Sequence, residues 1–140
     1  MKIDYRATDR ARAILASLGR TEDIRFSPSS RRLAIAAFNK SRIALLDVEI
    51  GKSGGAPEVL LTGGIEISSP AMSYPHGVDF LDDETIAVAS RQGGVAIFRV
   101  PAANANDYDL SPIQFLRPGN GSIVHTPGSV CVSHGEGGVC

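Results

Sequence analysis

Apolar residues recur along this chain in short alternating runs, and polar turns separate the runs. From Asp23 to Ile50, Ile24 and Phe26 form an apolar–x–aromatic pair. The turn "SPSSRR", the run "LAIAAF", the turn "NKSR" and the run "IALLDV" follow. From Gly77 to Val100 the order returns as Val78 and Phe80, "LDDE", "IAVAS", "RQGG" and "VAIFRV". Alternation over five or six residues between turn formers predicts short strands. Laid together, Leu33 and Ile35 fall on Ile86 and Val88, and Ile43 and Leu45 on Val95 and Ile97. Phe26 and Phe80 lie 54 residues apart, a period typical of repeated supersecondary units.

The inner runs carry apolar or small residues on both faces, since Leu33 and Ile35 alternate with Ala34 and Ala36. Such a strand must be covered on both sides, and alanine on one side lets the neighbouring sheet come close. A fourth, outer strand is predicted in each unit, at "EVLLTGGIEI" (58–67) and within "SPIQFLRP" (111–118), after the polar loops "GKSGGAP" and "PAANANDYDLS". A third copy starts at "TPGSVCVSHGEGGVC", with Val130 and Val132 in the places of Val78 and Phe80. The expected organisation is an N-terminal segment, 1–22, then units 23–67 and 77–118 and the start of a third, 128–140. Within 1–22, "TDRARAILASLG" has Thr8 or Asp9 as a cap, Ala11, Ile14, Leu15 and Leu18 on one side, and Gly19 as a stop. This predicts a short helix over 8–19, with a strand through 13–18 as the rival.

"RFSPSSRRLAIAAF" (Arg25–Phe38) resembles the opening of the WD40-like or lactonase-like β-propeller repeat of bacterial proteins, F-S-P-(D/N)-G-(K/R)-(R/T)-L-A-V-A. Ser30 stands where the family has Gly, and "FLDDETIAVA" is the looser second copy. The resemblance implies an all-β fold of four-stranded antiparallel blades in an incomplete ring, beside the short helix. Propellers close with about four to eight blades, so two blades and a start imply further blades or self-association to cover the exposed sheet faces. The expectation is that the chain is the N-terminal part of a longer protein. Strong blade signals beside incomplete catalytic motifs lead to the expectation of a non-enzymatic binding or scaffold module, with a lactonase-type hydrolase of sugar lactones as the alternative.

Composition sharpens this little. The 140 residues are 43% hydrophobic and 21% charged, with no Trp, few aromatics, and 15 Gly and 8 Pro that suit many turns. Charge is uneven: Lys and Arg dominate residues 1–42, and Asp and Glu the remainder. Arg25, Arg31, Arg32 and Arg42 are spaced as turn and strand-end residues without interleaved aromatics, so no nucleic-acid partner is expected. No apolar run reaches membrane-span length and the start lacks a signal-peptide core; the expectation is a cytoplasmic protein with no membrane partner.

The chemical motifs are incomplete. Gly51-Lys52-Ser53 lacks the earlier glycine of a phosphate loop, Leu46 standing in its place. Cys131, His134 and Cys140 fall short of a four-ligand zinc set, and strand cysteines of this kind are expected to be buried. Ser133-His134-Gly135 misses the nucleophile elbow, Cys131 replacing its first Gly. Asp82-Asp83-Glu84 reads as a turn. No catalytic residue, metal or cofactor is assigned. What stands out is His76 in "YPHGV", in a connection expected to face the mouth of a central channel. The lactonase-like family has P-H-x-H at a similar place, but here Val78 replaces the second His. Candidate ligand-binding residues on that rim are His76, Arg91, Gln92, Asn39, Tyr74 and His125.

Overall fold

The computed structural model describes residues 4–101, 107–117 and 127–133. β1 (Asp4–Ala7) leads into α1 (Asp9–Ser17), the helix predicted from the cap and the apolar spacing. Thr8 is its N-cap, and the hydroxyl accepts from the Ala11 N–H at 3.4 Å, satisfying a donor the first turn leaves open. Ala11, Ile14 and Leu18 are buried along one side. Gly19, at φ 66°, then carries the chain away from the helix in a conformation that glycine adopts without a Cβ clash.

Two antiparallel meanders follow. β2 (Thr21–Phe26), β3 (Arg32–Ala37), β4 (Arg42–Ser53) and β5 (Ala56–Ser68) pair in chain order, and β1 lies parallel to β5 on its outer edge. β6 (Pro75–Asp82), β7 (Thr85–Ser90) and β8 (Gly94–Arg99) begin the second sheet. β9 (Tyr108–Asp109) crosses to pair with the end of β5, and β10 (Gln114–Leu116) completes the second sheet against β8. The chain is therefore mostly β, two antiparallel sheets with one short helix, and no closed ring forms among the described residues. None of the described helices is long and apolar enough to cross a membrane.

One predicted loop is not a loop. β4 runs on through Gly51-Lys52-Ser53 and β5 begins at Ala56, leaving only Gly54 and Gly55 between them, at φ 58° and 85°. Two residues with positive φ make a turn whose twist matches the flanking strands, so turn geometry overrides the polarity of the segment.

The alternation works as the sequence predicts. Ala34, Ala36, Ile43 and Leu45 form one face of the first sheet and share a core with Phe80, Ile86, Val88 and Phe98 of the second. Small residues against large ones let the sheets close without voids. The opposite face, including Leu33, Ile35 and Leu46, packs on Ala11 and Ile14 of α1. Gly64 makes that approach possible: a Cβ there would stand 2.7 Å from Leu46 Cδ2 and 3.1 Å from Ile14 Cδ1.

Residues 127–133 run beside β6 without forming a regular strand, although Val130 and Val132 are predicted to open one. Cys131 is exposed, not buried as expected, because this segment lacks a ladder partner that would turn the thiol inward.

Candidate functional site

Three reversals bring the predicted rim together. The β3–β4 connection is a single 3-10 turn, Phe38–Lys40, and Ser41 follows it in the left-handed region at φ 50°. The Ser41 hydroxyl accepts from the Tyr74 N–H at 3.3 Å, which docks the start of the second unit onto the first. The Tyr74 carbonyl in turn accepts from the Arg91 N–H at 3.1 Å, and that of Ser73 from the Gln92 N–H at 3.4 Å. Asn39, Tyr74, Arg91 and Gln92 are thus exposed at one end of the molecule. His125 lies outside the described residues.

His76 belongs to β6 and not to the connection before it. Its Nδ1 is 2.6 Å from the Gly128 carbonyl, which can only accept, so Nδ1 carries the proton. Its Nε2 faces Glu22 Oε2 at 3.5 Å, and the other Glu22 oxygen pairs with Arg20. Phe38 meets the imidazole edge-on at 6.0 Å and Tyr74 at 5.2 Å, while the Arg20 guanidinium lies 4.9 Å from the Phe38 ring centre. Nδ1 is thus bonded to backbone, and Nε2 pairs with the Glu22 carboxylate only when the imidazole is protonated. Here the histidine joins β2, β6 and residues 127–133.

Among the described residues one groove lies away from this rim and another borders Glu22, which faces His76. An open one of about 850 Å³ lies at the opposite end of the strands, between Ser29, Arg31, Arg32, Asp47, Thr62 and Asp83. A smaller one, about 300 Å³, runs along β2 between Leu18, Thr21, Glu22, Ile24 and Ile35. Neither is lined by His76, Tyr74, Asn39, Arg91 or Gln92.

The larger groove holds mixed charge. Asp82 accepts from the Glu84 N–H at 2.8 Å, the turn expected of the acidic cluster. Asp83 also accepts from the Ser29 N–H, at 3.1 Å, across the two units. Hydrogen bonding from Ser29, aided by Ser27 and Arg31, holds its carboxyl below the ordinary range. Asp47 behaves oppositely: burial pushes its carboxyl up, against the pull of Arg32.

The sequence reading overlooked the groups that link the inner strands. Asp23 accepts from its own neighbour, the Ile24 N–H, at 2.9 Å, and with its second oxygen from the Val78 N–H at 3.1 Å. Asp79 repeats this, accepting from the Phe80 N–H at 2.9 Å and the Val132 N–H at 2.7 Å. Each inner strand thus presents a carboxylate to the backbone of the next, a stronger tie than a neutral hydrogen bond. Asp is depleted in strands, so its place between Val78 and Phe80 was the available signal.

Gly77 sets the spacing of the last link. A Cβ there would stand 2.7 Å from Ser129 Cα and 2.9 Å from Val130 N, both backbone. Gly77→Ala is expected to push residues 127–133 off β6 and cost about 1–3 kcal/mol. Hydrogen exchange of the Val132 amide checks it, and the exchange should accelerate.

Among the described residues no group of three or more His, Cys, Asp or Glu could hold a metal ion; His134 and Cys140 lie outside them. No family model, no curated protein and no solved structure matches the chain.

Proposed function

We propose that this chain is a non-enzymatic binding or scaffold module built from propeller-type blades, of which residues 23–67 and 77–118 are two and residues 128–140 open a third. The observation that carries this reading is the repeated carboxylate link. Asp23 holds Val78 of β6, and Asp79 holds Val132 of residues 127–133, so successive segments are joined in one manner. His76 contributes to the same seam through Gly128 and Glu22. The residue most suited to catalysis thus serves to join units. Partner contact falls to the exposed rim of Asn39, Tyr74, Arg91 and Gln92, where blade connections converge.

The test is hydrolysis of sugar lactones by the purified chain and by His76→Ala. The expected result is no turnover above background for either, with the variant less stable by about 1–3 kcal/mol from its lost hydrogen bond. Turnover by the wild type that disappears in His76→Ala would establish the lactonase-type alternative instead.

A further inference from the structure

The connections at the His76 end gather positive charge around two aromatic rings. The Arg20 guanidinium lies 4.9 Å from the Phe38 ring centre, and that ring lies 5.2 Å from Tyr74. The Phe38 N–H donates to the Arg20 carbonyl at 2.9 Å, and a Cβ on Gly19 would stand 4.0 Å from Lys40 Cε. The Arg91 N–H donates to the Tyr74 carbonyl at 3.1 Å. Arg20, Lys40 and Arg91 are all exposed, and among the described residues neither Lys40 nor Arg91 makes an ion pair. Glu22, the carboxylate packed among them, is turned inward: its side chain is 15% exposed and faces Arg20 and His76. Arg42 is already paired with Glu66, and Asp107 and Asp109 lie beside β5, beyond β3 and β4 from Arg20. Tyr74 stands exposed at φ 53°, a conformation costly for a bulky residue. Ser41 of one unit and Arg91 of the other hold its backbone there, and the result is a large ring kept at the surface.

We infer that this rim takes an acidic segment of a partner protein, with carboxylates on Arg20, Lys40 and Arg91 and an apolar side chain against Tyr74 and Phe38. This rests on the chain being a non-enzymatic binding module, and it names the class of partner. Tyrosine and arginine carry more binding energy at interfaces than their area suggests. Rings fixed before contact lose little freedom on binding, and Tyr74 is fixed by both units. Asn39 and Gln92, exposed beside Lys40 and Arg91, supply amide donors and acceptors for the backbone of such a segment. A nucleic acid fits less well, because it needs cations along a track that follows its phosphates. Here the free cations gather at one end, while the opposite end exposes Glu49, Asp82 and Glu84.

Fluorescence anisotropy tests this with the full chain and a labelled peptide of about ten residues, glutamates around a central phenylalanine. The expected result is saturable binding that weakens severalfold at high ionic strength and is absent when glutamines replace the glutamates. Arg91→Glu should weaken it about tenfold or more, and Tyr74→Gly severalfold. Glycine adopts the Tyr74 conformation without strain, so that variant keeps its fold. Lys52→Glu makes the same change of charge on the exposed β4–β5 hairpin and should leave binding unchanged. Three outcomes would overturn the proposal. Absence of saturable binding would leave no acidic partner. Equal loss in Lys52→Glu would reduce the effect to net charge. Tighter binding of a single-stranded oligothymidine would make the rim a nucleic-acid surface. The scaffold role is read separately: lactone turnover lost in His76→Ala removes it whatever the peptide does. Failure of the peptide to bind, without such turnover, removes the acidic partner alone.

Discussion

Phe80→Ala is expected to lower the unfolding free energy by about 3–5 kcal/mol, while Phe26→Ala costs about 1 kcal/mol or less. Both residues are phenylalanines at the third apolar-face position of an inner strand, and local propensity treats them alike. Their surroundings differ. Phe80 is 1% exposed between the two sheets, where removing the ring leaves a cavity that the paired ladders β2–β3 and β6–β7 cannot collapse to fill. Phe26 is 48% exposed beside the uncovered part of β2, and truncation there opens no cavity. Urea unfolding of the two variants measures the contrast. Equal costs would mean that the second sheet does not rest on the first as described.

The strand plan was legible because alternation is a local property. "LAIAAF" and "IAVAS" announce strands apolar on both faces, and the structure buries every residue of β3 and β7. The helix was legible through Thr8, the Ala11–Ile14–Leu18 stripe and Gly19. What covers each face was not legible, because covering depends on which elements meet. Nothing in "TDRARAILASLG" says that its apolar side packs on Leu33, Ile35 and Leu46. The rim was readable in part: Tyr74, Arg91 and Asn39 do gather at one end, since each sits at a turn whose place the meander dictates. His76 was misplaced by one element, assigned to the connection because the propeller resemblance implied one there, and found in β6. Pro75 opens this strand, where no ladder donor is needed. Asp23 and Asp79 escaped notice because a lone Asp in a strand looks like an outward, solvated side chain. Only the neighbouring unit, over fifty residues away in sequence, shows what the second oxygen does.

The same long-range logic explains why the two ends of the molecule differ in character. At the His76 end, contacts between units pass through aromatic rings and an imidazole held between a carbonyl and a carboxylate. At the other end they pass through a buried arginine, which reaches the Asp83 and Pro101 carbonyls, and through the Asp83 carboxylate, while Asp47 pairs with that arginine from within the first unit. An ion pair taken out of water tolerates the loss of one partner poorly. The arginine end is therefore the place where a single substitution and a change of pH should act together.

Arg32→Leu should destabilise the protein by about 3–5 kcal/mol at neutral pH, and by less under acid conditions. Arg32 is 8% exposed; its Nη2 donates to the Pro101 carbonyl at 2.7 Å and its Nη1 to the Asp83 carbonyl at 3.4 Å. Its Nε lies 3.6 Å from Asp47 Oδ1. Leucine keeps much of the stem's volume but leaves the Pro101 carbonyl and the Asp47 carboxylate without their partner. Burial already raises the Asp47 carboxyl above its ordinary value of 3.8, and Arg32 restrains the rise. With a raised value, the folded state binds the proton more readily than the unfolded state does, so stability falls as pH rises through that interval. Removing Arg32 widens the interval upward. Below it Asp47 is neutral in both states, and the charge part of the deficit disappears. Urea midpoints for wild type and Arg32→Leu at pH 7 and near pH 4 separate the contributions. A deficit that does not shrink in acid would assign the loss to the Pro101 hydrogen bond. Adding Asp47→Asn to Arg32→Leu should recover more than about 1 kcal/mol at neutral pH, since the stranded charge is then gone. No recovery would show that Asp47 is well solvated and that its pairing with Arg32 contributes little.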